Sequence, residues 1–312
     1  MNFYLAPLEG ITRYTFRNAI HEFFPEGVYK YYTPFFAPHT KRTMNTKEMT
    51  DVLPENNQGI YLVPQILTNG AEDFLRFEQD MKTMFGYEET NINLGCPSGT
   101  VVPKGRGAAM LQDAEALDDF LYAIFEKKSG KVSVKTRLGM DDPDEFYEIL
   151  EVYNKYDMEE VIIHPRVRNE FYKGRPHYEH FKYALQHSRN KLCYSGDINS
   201  VSDYEALLEM MQVGENEYAV MLGRGMVADP SLIRQLSGGA KMTKEELRAY
   251  HDRLYSEFKR LFSGQVPVLH KMKEMWLYLI KNYEDEKLLK KVQKAKTFAE
   301  YESAVNYLIS IY

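Results

Sequence analysis

Short apolar runs in this 312-residue chain end, one after another, on polar side chains: Gln65 after IYLVP, Asn93 and Cys96 in NINLGC, Lys135 and Arg137 in VSVKTR, His164 in VIIHPR, Asp197 in CYSGD and Arg224 in VMLGRG. One such residue alone is more often structural than chemical, but a series at consecutive strand ends is harder to dismiss. A lysine and a histidine on adjacent strands direct positive field and a hydrogen-bond donor at one spot, which suits a group that becomes anionic during turnover. Gly196 and the Gly223-Arg224-Gly225 stretch allow close backbone approach, so their amides can hold a phosphate.

The elements that would position these groups follow from periodicity. Eight runs rich in Val, Ile, Leu and Tyr read as strands: Phe3 to Pro7, Val28 to Pro34, Ile60 to Ile66, Asn91 to Cys96, Val132 to Arg137, Glu160 to Pro165, Lys191 to Gly196 and Tyr218 to Gly223. Between them apolar residues recur three and four apart, as in Phe74, Phe77, Met81, Met84 and in Leu117, Phe120, Leu121, Ile124, which predicts helices with one buried face. Asp142-Pro143 reads as an N-cap with proline at the first helical position, and Ser200 with Asp203 as a capping box. Eight such units predict an α/β fold, a (β/α)8 TIM barrel whose active site lies where the strands end. A doubly wound dinucleotide-binding sheet is disfavoured, because APLEG rather than G-x-G-x-x-G follows the first strand. In that barrel the glycines of the last two strands favour a phosphorylated cofactor across the mouth. Flavin mononucleotide fits best, with Lys135 near its ring.

After Gly238-Gly239 the strands stop. Thr243 and Glu246 form another capping box, and the rest reads as helix, so residues 1–239 are expected to form the barrel and 240–312 a smaller all-helical domain. From His251 to Lys296 that domain is richer in Lys and Arg than in Asp and Glu, with Lys271, Lys273, Lys281, Lys290, Lys291 and Lys294 prominent. The overall charge of −6 argues against non-specific coating of nucleic acid but leaves local grips possible. No run of about eighteen apolar residues and no signal-peptide pattern occur, so no membrane span is expected and the cytoplasm is the expected compartment. Cys96 and Cys193, the two cysteines, give neither a disulfide framework nor a CxxC metal pattern. His177, His180 and His187 lack an HExxH context and read as helix decoration, so no metal site is expected.

The motifs APLEG (6–10), NLGCPS (93–98), GRGAAML (105–111), VKTRLG (134–139), SGDI (195–198), MLGRGMVADP (221–230) and HKMKEMWLYL (270–279) are together similar, in order, to the tRNA-dihydrouridine synthase family. The resemblance implies FMN-dependent, NADPH-driven reduction of the C5=C6 bond of uridine in RNA, with tRNA as the substrate, by a TIM barrel followed by a helical RNA-binding domain; such a pair can work as a monomer, which is the state expected here. It implies hydride transfer from reduced FMN to C6 and proton donation from Cys96 to C5, for which a thiol with a pKa near 8.5 is suited. It also implies FMN contacts from Pro7, Leu8, Gln65, Lys135, His164, Ser195, Gly196, Asp197, Gly223 and Arg224. Asn93 and Arg166 would place the uridine, while Lys104 and Arg106 would grip the RNA backbone. The uridine must leave its stack to reach such a site.

Two positions depart from the family pattern. Ser195-Gly196-Asp197 stands where Asn-Gly-Asp or Asn-Gly-Glu is common, and His164-Pro165-Arg166 where His-Gly-Arg is. Pro165 has no amide hydrogen to offer, and Ser195 offers one hydroxyl in place of a carboxamide. Alternative readings are a flavin barrel acting on a free pyrimidine, as in dihydroorotate dehydrogenases, and a non-catalytic RNA-binding module on the same scaffold. A basic helical domain separates the first alternative from the family reading, and failure to bind flavin would favour the second.

Overall fold

The computed structural model describes residues 1–38, 44–212, 217–282 and 287–312. Its strands are β1 (Phe3–Leu5), β2 (Val28–Tyr32), β3 (Leu62–Val63), β4 (Gln65–Ile66), β5 (Glu89–Leu94), β6 (Lys131–Thr136), β7 (Glu160–Ile163), β8 (Leu192–Tyr194) and β9 (Ala219–Leu222). All pair in parallel, in the order β3-β2-β1-β9-β8-β7-β6-β5-β4. The two ends of that order are consecutive in sequence, so the sheet closes on itself as a barrel of eight staves.

The third stave, expected as one strand from Ile60 to Ile66, is broken at Pro64. A proline cannot donate to the ladder. Here the Pro64 carbonyl still accepts from the Asn91 amide at 2.9 Å, and the Gln65 amide turns to the Thr33 hydroxyl at 2.9 Å. The break therefore costs no buried donor and leaves Gln65 at the mouth.

Alternation along the strands divides the core. Tyr4, Ala6, Tyr32, Val63, Ile162, Cys193, Ala219 and Met221 fill the barrel interior, while Phe3, Leu5, Tyr31, Val161, Ile163 and Tyr194 belong to the larger core beneath the helices. In helix Ala71–Phe85, Phe74, Phe77 and Met81 are buried as expected, but Met84 is 57% exposed. The buried polar member of that helix is Glu78, whose carboxylate accepts from the Ser129 and Gly130 amides. The loop before β6 needs an acceptor there, and three-four spacing alone does not reveal it.

The expected caps are present in altered form at two helices. Helix Glu145–Tyr153 starts two residues after Pro143, because Glu145 folds its carboxylate back onto the amides of Met140, Asp141 and Asp142. Ser200 accepts from the Asp203 amide, but Asp203 reaches back to Asn199 rather than to Ser200. Thr243 and Glu246 form the reciprocal box in full.

Beyond Gly239 lie helices Lys244–Leu261, Gln265–Leu279, Lys287–Lys294 and Phe298–Ser310, with residues 283–286 of the expected helical stretch outside the described residues. Tyr250 packs its ring against Phe16 and Phe24 of the barrel at 6.5 and 5.9 Å. Arg253 pairs with Glu22, and Lys271 donates to the Gly10 carbonyl at 2.8 Å. No helix among the described residues is long and apolar enough to cross a membrane.

Tyr250 is fully buried, yet its hydroxyl has no hydrogen-bond partner among the described residues. Its ring and not its hydroxyl therefore carries the docking. Tyr250→Ala should cost about 3–5 kcal/mol in denaturant titration, whereas Tyr250→Phe should be neutral or stabilising.

Candidate active site

The barrel floor carries charge. Lys30 on β2, Glu89 on β5 and Glu160 on β7 are all buried, and Lys30 donates to both Glu89 oxygens at 3.1 and 2.8 Å. Glu160 lies 3.8 Å from the same ammonium and accepts from the Tyr4 hydroxyl at 2.8 Å. Two carboxyl groups thus face one cation in a dry interior. Burial pushes Glu160 up to about 7, against the opposing pull of Lys30.

From Glu89 a ladder of side-chain hydrogen bonds climbs through the barrel. Both Glu89 oxygens accept, so the Ser133 hydroxyl donates to Oε1 at 3.0 Å and must itself accept from Asn91 Nδ2, at 2.9 Å. Asn91 Oδ1 then accepts from Gln65 Nε2 at 2.7 Å, and Gln65 Oε1 accepts from Asn93 Nδ2 at 2.8 Å. Each amide's orientation is dictated by the one below it. At the top, Asn93 Oδ1 faces the amides of Gly95 and Cys96, at 3.1 and 2.9 Å. The floor carboxylate, which accepts, and the two loop amides, which only donate, therefore impose the same orientation on Asn93 from opposite ends of the ladder.

Two further braces hold that loop. Gly107, at φ +61, lies so close that a Cβ would sit 2.8 Å from the Cys96 carbonyl oxygen, and the Ala108 amide donates to that oxygen at 3.1 Å. Arg137 is almost fully buried and donates to the carbonyls of Gly95, Val167 and Phe171. It ties the loop after β5 to the loop after β7.

At the carboxy-terminal strand ends a cavity of about 150 Å³ is lined by Pro7, Leu8, Gln65, Asn93, Cys96, Lys135 and His164. The strand-end pattern anticipated Gln65, Asn93, Cys96, Lys135 and His164, and the family resemblance added Pro7 and Leu8. Arg137, another strand-end candidate, lines it too, with Glu9, Phe35 and Tyr172. Tyr172 sits on a connection with no apolar period, so nothing in the sequence marked it. Burial, and next the charge of Arg137, lower the Lys135 ammonium to about 8. Burial likewise holds His164 well below its ordinary value, helped by Arg137, Lys135, Arg166 and Arg224. Its ring is neutral at pH 7. Arg166 can only donate to His164 Nε2, at 3.0 Å, so the ring proton resides on Nδ1. Burial raises the Cys96 thiol above its ordinary value, against the pull of the Ser98 amide and of Arg137 and Lys135, so it stays protonated at neutral pH.

Beside this cavity, Asp197 bridges Arg166 and Arg224, each at 2.5 Å, and Arg224 stacks on Tyr172 at 4.4 Å from the ring centre. Arg166 is fully buried and gives its donors to Lys173 O, Gly174 O, His164 and Asp197. Its guanidinium is turned inward. Ser195, Gly196 and Gly223 lie at the ends of β8 and β9, next to this network rather than on the cavity wall. Lys104 and Arg106 stand apart on the outer loop after β5, where Asn69 contacts both. Cys193 is fully buried inside the barrel.

A closed parallel barrel with a protonated thiol, a cationic lysine and a neutral imidazole around one mouth defines a barrel enzyme of proton-transfer or redox type. The chain belongs to the dihydrouridine synthase family, whose model matches residues 4–309. It is 25% identical over 232 residues to the tRNA-dihydrouridine synthase B of Pasteurella multocida, covering 74% of this chain and 67% of that one. It is 24% identical over 280 residues to the tRNA-dihydrouridine synthase B of Vibrio parahaemolyticus, covering 86% and 80%. With the tRNA-dihydrouridine(16) synthase of Shigella flexneri it shares 29% identity over 208 residues, covering 64% and 63%.

Two outcomes follow from the ladder and its floor. Ser133→Ala leaves Asn91 Nδ2 without its acceptor and should cost about 1–3 kcal/mol in denaturant titration, while Asn93 stays held by the loop amides, so that the rate of Cys96 alkylation by iodoacetamide is unchanged, with buried Cys193 silent. Glu160 is raised in the folded state, so its contribution to stability is present below its unfolded value of about 4.5 and lost as pH rises through about 7. Glu160→Gln should flatten that decline in pH-dependent unfolding measurements.

Proposed function

We propose that this enzyme reduces uridine to 5,6-dihydrouridine in tRNA, using FMN as its bound cofactor and NADPH as reductant. The observation that carries the reading is the placement of a protonated Cys96 thiol on the wall of the same cavity as Lys135 and His164. The named relatives act on tRNA, which favours that substrate over other RNAs.

The donor set fits a flavin phosphate. The amides of Gly196, Asp197 and Arg224 donate to no acceptor among the described residues, and the Arg224 guanidinium stands beside them. Gly223 passes so near β1 that a Cβ would lie 3.4 Å from that of Ala6. Gln65, Lys135 and His164, with Pro7 and Leu8, would hold the ring system, and Ser195, Gly196, Asp197, Gly223 and Arg224 the phosphate end. Bound FMN supplies the hydride that the reaction needs.

The residues of the chain do the rest. Lys135 would set positive charge beside the cofactor ring, and His164 would offer it the Nδ1 proton that Arg166 leaves on the imidazole. Asn93 holds the Cys96 loop, and the Cys96 thiol gives its proton to C5 of the uracil. Arg166 places His164 and Asp197 and acts on the substrate only through them. Pro165 has no amide hydrogen to offer the cofactor, but its carbonyl accepts from the His177 amide at 2.7 Å and so shapes the loop that carries Tyr172. On the outer surface, exposed Lys104, half-buried Arg106 beside it, and exposed Lys281, Lys290 and Lys294 of the helical unit would meet an RNA backbone. Lys271 and Lys273 are already spent on the carbonyls of Gly10 and Ala295.

Purified protein should release FMN on denaturation. Cys96→Ala should leave flavin reduction by NADPH nearly intact while the yield of dihydrouridine in tRNA falls about a hundredfold or more. Equal yields from variant and parent would remove the thiol from the reaction.

A further inference from the structure

His177 and His180, which the sequence assigns to a helix surface, converge with Glu179 at the start of helix Tyr178–His187. Their ligand atoms and a Glu179 oxygen all lie within 4.8 Å of one another. Each imidazole is oriented from behind. His177 Nε2 meets Glu170 Oε1 at 2.9 Å, and His180 Nε2 meets Asp144 Oδ1 at 3.0 Å. A carboxylate accepts, so each ring carries its proton on Nε2 and turns the Nδ1 lone pair the other way. Both Nδ1 atoms then face the same oxygen, Glu179 Oε1, at 3.5 Å each. In the neutral rings these are three lone pairs converging on one point. His180 is 5% exposed, and its Nδ1 is buried without a hydrogen-bond partner.

We infer that His177, Glu179 and His180 form a binding site for one divalent transition-metal ion of the zinc type. The geometry suits it, since ligands about 2.0–2.2 Å from a tetrahedral ion stand roughly 3.3–3.6 Å apart. Two imidazoles favour zinc, cobalt or nickel over magnesium or calcium. Glu170 and Asp144 supply the carboxylate partners that metal-bound histidines characteristically have. Exposed Glu179 leaves the fourth position to solvent. Glu170 also accepts from the Val167 amide at 2.8 Å, so an ion here would anchor the loop carrying Phe171 and Tyr172 to the start of the following helix. The inference does not depend on the redox reading.

Chelator-treated protein titrated with Co²⁺ should take up one ion per chain, with the visible absorption of a four-coordinate nitrogen and oxygen site, no sulfur charge-transfer band, and displacement by Zn²⁺. His177→Ala and Glu179→Gln change half-buried and exposed residues and should abolish this uptake while the melting temperature without metal stays unchanged. Glu170→Gln should weaken it about tenfold to a hundredfold, and His187→Ala should leave it intact. Uptake that survives His177→Ala, or no uptake at millimolar Co²⁺, would overturn the assignment. So would imidazole ¹⁵N spectra of the metal-free and Zn²⁺-supplemented protein that show protons on both nitrogens of each ring alike.

Discussion

The contact between Lys30 and Glu89 at the barrel floor is the constraint on which the site depends. An ammonium and carboxylates withdrawn from water are costly unless every lone pair and proton is matched. Here Tyr61 and Ser133 complete Glu89, and Tyr4 completes Glu160. The cluster is weak evidence for stability, but it supplies direction. Glu89 only accepts, which leaves each amide above it one way to face, and that direction agrees with the Gly95 and Cys96 amides that donate to Asn93 at the top.

The thiol loop is therefore held by three independent restraints. Asn93 fixes its amides, Gly107 and Ala108 close on its carbonyl, and Arg137 spans from it to the loop after β7. Arg137 and Arg166 expend their donors on protein atoms, yet both add to the burial that keeps His164 neutral, and Arg137 adds to the burial that lowers Lys135. In this site the arginines act through fields and positions, which explains how such a small cavity accommodates so much positive charge near it.

Much of this was legible in the sequence, because a parallel barrel writes its strands as apolar runs and leaves its chemistry at their ends. Gln65, Asn93, Cys96, Lys135 and His164 were found by that rule and stand together. The floor was not. Lys30, Glu89 and Glu160 lie near strand starts, where a charged residue reads as the solvent-facing half of an alternation, and only the closed barrel turns them inward. The burial of Glu78 in place of Met84 shares that cause, being decided by the Ser129 and Gly130 amides some fifty residues on, whereas the split at Pro64 follows from a residue the sequence displays. Tyr172 lies on a loop, where periodicity carries no information.

Lys271 reaches from the helical unit to the carbonyl of Gly10, two residues beyond Leu8 on the cavity wall. This bond makes the carboxy-terminal helices a fixed caliper: any long polymer gripped along their outer face is offered to the mouth at a span set by the protein. For the tRNA proposed above as substrate, which uridine meets the thiol would then be a matter of reach as much as of local sequence.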